Sequence, residues 1–139
     1  MKDKKYKKTE LAKIQLDQAL RLFTQENDYI SSITLAAAAE ELLGKQLKKI
    51  NPDALHELDR LKRNHKEINE MFGYPEQKNS EVISEINYAK DHLKHYTQEE
   101  VMFYPESSAI HHIHRAINNY WWVHGDFTPE MEEFRKNNA

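Results

Sequence analysis

The segment YISSITLAAAAEELLGKQLKKI, Tyr29 to Ile50, limits the possible folds more than any other part of the chain. It is made largely of strong helix formers, contains no Pro and a single Gly, and is apolar nearly all round in its first half. At helical spacing Leu35, Ala36, Ala39, Leu42, Leu43 and Leu47 share one broad face, while Ile30, Ile33, Ala37 and Gly44 share another. A helix with two apolar sides either lies at the centre of a bundle or is also covered by a partner chain. In both cases further helices must pack around it.

The rest of the sequence supplies them. Ala12, Leu16, Ala19 and Phe23 mark an amphipathic helix over Thr9 to Gln25, interrupted at Asn27-Asp28, where Asp28 can cap the central helix. After it, NPDAL predicts a third helix with Asn51 as cap and Pro52 in its first turn. Its seam runs Ala54, Leu58, Leu61, His65, Ile68 and Phe72, up to the FGYPE break. Ser80 is placed to cap a fourth helix with the seam Val82, Ile86, Ala89, Leu93 and Tyr96. Pro105 opens a fifth, lined by Ala109, Ile110, Ile113, Ala116, Ile117 and Tyr120 and stopped by Gly125. Thr128 caps a short final helix. Three Gly and four Pro in 139 residues are too few for many short strands, and only VMFY reads with period two. The expectation is an all-α antiparallel bundle of five to six helices, one domain over 9–139 behind a basic flexible segment, 1–8.

Composition excludes several classes of function. The absence of Cys removes disulfides, thiolate catalysis and thiolate metal sites. A formal charge of −3 gives no global basic field, although MKDKKYKK carries five Lys in eight residues. That run reads most simply as a solvated, frayed start. No apolar stretch approaches the ~20 residues that cross a bilayer, so no membrane association and a cytoplasmic location are expected. The scattered Gly residues build no phosphate loop, and no cofactor is expected.

Candidate chemistry concentrates in NYAKDHLKHY. At about 100° per residue, Lys90 and His95 stand about 140° apart on a helix, with Asn87, Asp91 and Lys94 projecting between them, away from the Ile86–Leu93 seam. From spacing alone this polar ridge is also what an ordinary solvated face looks like. A second stripe, His111, Arg115, Asn118 and Trp122, lies opposite the Ile113–Ile117 seam, and Arg with Trp on an exposed face suits a partner interface or base stacking. Glu40 falls at the edge of the central helix's apolar face, as a partly buried carboxylate in need of a cation. His65 lies within its seam, either as a core His satisfied by one hydrogen bond or as that carboxylate's partner. The pairs His92/His95, His111/His114 and Asp53/His56 have chelating i, i+3 spacing, which keeps a metal-binding bundle as an alternative. A di-iron bundle, however, needs inward Glu-x-x-His pairs that this sequence lacks, and no metal site is assigned.

Taken together, LAAAAEELLGK and KDHLKH resemble the HEPN superfamily, small helical bundles of toxin–antitoxin and phage-defence systems. The resemblance spans roughly Asp28 to Tyr96. It implies a homodimer in which a basic residue, a polar residue and a His act on RNA without metal. Here those positions fall on Lys90, Asp91 and His95, with Glu40 or Glu41 as the acidic residue of the second helix. The motif's usual basic residue is Arg, and Lys90 replaces it. An ammonium holds a phosphate as a point charge, without the planar fork that positions two oxygens. The expected function is therefore a dimeric module binding RNA, a nucleotide or a protein partner without efficient catalysis. The alternative is a metal-independent ribonuclease using Lys90 and His95.

Overall fold

The computed structural model describes residues 2–54 and 56–139. Met1, in the basic segment, and Leu55, within the expected third helix, lie outside the described residues. Among the described residues seven α-helices run in the order α1 (Lys8–Arg21), α2 (Tyr29–Ile50), α3 (Glu57–Met71), α4 (Asn79–Ile86), α5 (Tyr88–Lys94), α6 (Pro105–His124) and α7 (Pro129–Asn137). No strand occurs among the described residues. The chain is all-α.

α2 is the central element. It packs mainly against α1 and α6, and also touches α5. Its two apolar sides are therefore both covered within the chain: Ala36, Ala39 and Leu43 are fully buried on one, Ile33 and Ala37 are buried on the other. Ile30 departs from the expected pattern at 44% exposed. Gly44 marks a close approach, since a Cβ there would lie 3.4 Å from both the Asn119 amide nitrogen and the His56 ring. The continuous core is built by Leu16 and Phe23 before α2, Ile113 and Ile117 of α6, and Met131 and Phe134 of α7.

Several boundaries follow local chemistry. α1 ends in a single π turn, Leu22–Glu26, closed by Asn27 in the left-handed region at φ 52°. Asp28 then accepts from the Ser31 N–H at 3.0 Å, a cap of the kind that contributes about 1 kcal/mol. Thr128 accepts from the Met131 N–H at 3.2 Å, and Gly125, at φ 78°, ends α6.

Other boundaries differ from the sequence expectation. α3 starts at Glu57, because Asn51 turns back to accept from the Asp53 N–H at 3.1 Å instead of capping a helix. The true cap comes from far along the chain: Asn119 Oδ1 accepts from the Glu57 N–H at 2.8 Å. α3 buries none of its residues, and Ile68 and Phe72 stay exposed. α4 begins at Asn79, so Ser80 is inside it and not its cap. The expected fourth helix is two, broken at Asn87, and Tyr96 lies beyond the second at 85% exposed. A ring of side chains ties α3 to α4. Asn69 donates to both the His65 Nδ1 and the Gln77 side-chain oxygen, Gln77 donates to Glu85, and His65 Nε2 donates to Glu85 at 2.7 Å. His65 is thus Glu85's partner and not that of Glu40.

Candidate functional site

The site is organised by a buried cation that a reading of helical faces puts on the surface. Arg115 is 1% exposed. Its Nε and Nη2 donate to Glu40 Oε2 at 3.1 and 2.9 Å, Nη2 also reaches Asn87 Oδ1 at 2.8 Å, and Nη1 donates to the Ile86 carbonyl at 3.1 Å. In an unbroken helix the Ile86 carbonyl would accept from the N–H four residues on. Here Arg115 takes that carbonyl, and the chain restarts as α5 one residue later. The stripe His111, Arg115, Asn118 and Trp122 is consequently not a free solvent face. α3, α4 and α5 lean on it, and its polar groups find partners there. Asn118 donates to Glu57 at 3.1 Å, and Trp122, 42% exposed, carries the Arg60 guanidinium at 4.3 Å over its ring. Asn87, expected to project outward, is likewise buried, because Arg115 draws its side chain inward.

Glu40 is the carboxylate in need of a cation, and Arg115 is the cation it finds. Burial pushes the Glu40 carboxyl above its usual range, while Arg115 and Lys90 pull it down. Only Oε2 is held by the guanidinium. Oε1 is buried without a partner among the described residues.

Above this pair opens a cleft of about 730 Å³ between α2 and α5. Its α2 wall carries Thr34, Glu41 and Lys45, and its α5 wall carries Lys90, Asp91, Lys94 and His95. Glu40 and Arg115 contribute to its lining, with His56 and Asn119 at the α3 side. Lys45 pairs with Glu41 at 3.1 Å, and Arg115 with Glu40. Lys90 and Lys94 enter no ion pair among the described residues. The cleft thus presents two ammonium groups against the single Asp91 carboxylate, with the His95 imidazole beside them. Such a surplus favours an anionic guest.

Of the residues singled out from sequence, Lys90, Asp91, Lys94, His95 and Glu40 meet in one concavity, whereas His111, Asn118 and Trp122 do not line it. His95 departs from the helical ridge: it follows α5 in extended conformation, φ −116° and ψ 133°, and is exposed. The 140° separation from Lys90 therefore does not apply. Sequence reasoning did not single out Lys45, although Glu41 and Lys45 stand at i, i+4. Asn119 carried no local signal, and His56 only its spacing from Asp53, since each reaches the cleft through contact between distant helices. Among the described residues no group of three or more His, Asp or Glu is arranged to hold a metal, so the i, i+3 pairs gain no third ligand. No helix is long and apolar enough to cross a membrane. Comparison with protein-family models, with curated proteins and with solved structures gives no match.

Proposed function

We propose that the α2–α5 cleft binds a phosphate-bearing ligand, RNA or a nucleotide, without efficient turnover, in a HEPN-like homodimeric module. The observation that carries this reading is the gathering of Lys90, Lys94, His95 and Lys45 around one cleft, where Lys90 and Lys94 stand outside the ion pairs that Lys45 makes with Glu41 and Arg115 with Glu40. Binding without turnover follows from two features. Lys90 offers a point charge where bidentate positioning of a phosphate needs a guanidinium. His95 sits on extended, exposed chain past the end of α5, and an acid–base group held so loosely gives up most of the advantage of orientation. The homodimer rests on the resemblance and on the exposed Tyr96, Met102 and Tyr104 between α5 and α6. α2 itself makes no demand for a partner, since its own chain covers both sides.

A ribonuclease is the second reading, favoured by Lys90 and His95 lining the same cleft. Fluorescence anisotropy with a single-stranded oligoribonucleotide, beside a cleavage assay on the same RNA, separates the two. Binding predicts an affinity that falls with salt, a Lys90→Ala/Lys94→Ala variant bound at least about tenfold more weakly, and a salt slope lowered by roughly 1 to 2. It also predicts intact RNA with wild type and with His95→Ala alike. Cleavage by wild type that His95→Ala abolishes supports the ribonuclease instead. Unchanged affinity in the double-lysine variant rejects the cleft as the binding site. Light scattering that gives a monomer at micromolar concentration rejects the dimer.

A further inference from the structure

The cations of the α2–α5 cleft have a counterpart a short way along the chain. α5 places Lys90 and Lys94 on the cleft wall, and the chain leaves that wall at His95 in extended conformation. The connecting segment 96–104 then carries Glu99 and Glu100. Both are exposed and, like Lys90 and Lys94, enter no ion pair among the described residues. The two sets of charges therefore do not meet within one chain.

The same segment exposes large apolar side chains. Tyr96, Met102 and Tyr104 are 85%, 89% and 82% exposed. Phe103 packs against the core and anchors the segment, while its neighbours Met102 and Tyr104 turn outward. Residues 98–103 make no backbone hydrogen bond among the described residues, so their outer side is left to water or to another molecule. Apolar side chains grouped and exposed to this degree mark an interaction surface.

The charge pattern selects what covers it. The patch has a cationic half, Lys90 and Lys94, and an anionic half, Glu99 and Glu100, with Tyr96 between them. Asp91 on the cleft wall lessens the cationic half but leaves it positive. A half turn about an axis near Tyr96 lays the anionic half of one copy on the cationic half of another, and does so twice. That is the self-complementarity a two-fold interface requires. The chain from Lys94 to Glu99 spans at most about 18 Å, so both halves fit within the roughly 800 Å² that a standard interface covers on each partner. A foreign partner of one charge sign would satisfy one half and be repelled by the other.

We propose that a second copy of this chain seats its 96–104 segment across the mouth of the α2–α5 cleft, with the Glu99 and Glu100 of each copy paired to the Lys90 and Lys94 of the other. The inference rests on the proposed homodimer and gives it a regulatory consequence. The carboxylates hold the place of a phosphate, and a phosphate-bearing guest must displace them, while Tyr96, Met102 and Tyr104 keep the copies together.

The test is charge reversal read by sedimentation velocity at micromolar concentration, with circular dichroism as the control for folding. Wild type is expected to be a dimer. Lys90→Glu/Lys94→Glu and Glu99→Lys/Glu100→Lys are each expected to raise the dimer dissociation constant at least about tenfold. The quadruple exchange, which leaves the net charge unchanged, is expected to restore the dimer. Where a reversal fails to fold, the neutral variant Glu99→Gln/Glu100→Gln, on exposed positions, is expected to weaken the dimer at least about threefold. That neutral variant is also expected to bind a single-stranded oligoribonucleotide at least about threefold more tightly than wild type, because the competing carboxylates are gone. A dimer unweakened in every folded reversal and neutral variant overturns this contact and leaves the homodimer standing. A monomeric wild type overturns both. A folded quadruple variant that stays monomeric overturns the pairing, and unchanged or weaker oligoribonucleotide binding by the neutral variant overturns the competition. Where neither protein binds the oligoribonucleotide, the cleft reading fails, and the dissociation constants alone decide the contact.

Discussion

At the scale of single residues the molecule turns on Arg115. Four donor contacts from one guanidinium bind α2, the α4 carboxyl end and the α5 start. Removing one partner of such a buried pair leaves an uncompensated charge. Arg115→Ala is therefore expected to lower stability by about 3–5 kcal/mol, read from urea unfolding, while a joint Arg115→Met/Glu40→Leu replacement should cost clearly less. If the double variant is as unstable as the single one, the pair matters for packing and not for charge. The sequence held half of this node. Glu40, at the edge of an apolar face, reads correctly as a carboxylate needing a cation. Arg115 reads as surface because an amphipathic helix shows only which face is apolar. It does not show whether the polar face meets water or meets other helices bearing acceptors.

Among the elements, the break at Asn87 sets the cleft's far wall. Its side chain accepts from Arg115 Nη2 at 2.8 Å while its backbone, at φ −100° and ψ 11°, leaves the helical path. Asn87→Ala removes that acceptor and is expected to destabilise by about 1–3 kcal/mol, with amide exchange in α5 rising more than in α1 or α2. A uniform rise across all helices would contradict a local role. The legible boundaries are those written in adjacent residues, such as Asp28 before α2, Thr128 before α7 and Gly125 after α6. Neither the start of α3 nor the split of α4 from α5 could be read that way. The first is capped by Asn119 and the second is pulled open by Arg115, both from α6. An unbroken polar ridge through His95 was the consequence of missing that split.

For the molecule as a whole, apolar periodicity was enough to give an all-α chain packed around Tyr29–Ile50, because burial dominates folding free energy and leaves a periodic trace. The arrangement of α3, α4 and α5 left little such trace, since they bury few apolar residues and are fixed by polar contacts. The buried imidazole gives the fold a pH dependence. His112 is held at about 2 in the folded chain against 6.5 unfolded, so between these values the unfolded state binds the extra proton and stability falls as pH drops. The expected slope is about 1.4 kcal/mol per pH unit below pH 6.5. Glu40, raised in the folded state, works in the opposite sense: its contribution favours folding at low pH and is lost as pH rises through its folded value. Urea midpoints at pH 7.5 and about pH 5.5 should therefore differ in wild type and differ by less in His112→Phe, the remainder coming chiefly from His111, which burial pushes down to about 4. Equal pH dependence in both proteins would rule out His112 as the cause.

The claim that a phosphate-bearing guest occupies the α2–α5 cleft is tested most directly by amide chemical-shift mapping with a short oligoribonucleotide. The perturbed amides should cluster at Thr34–Lys45 and Lys90–His95, and the same titration of Lys90→Ala/Lys94→Ala should leave them still. Perturbations confined to the Lys-rich segment before α1, or spread without a cluster, would contradict it.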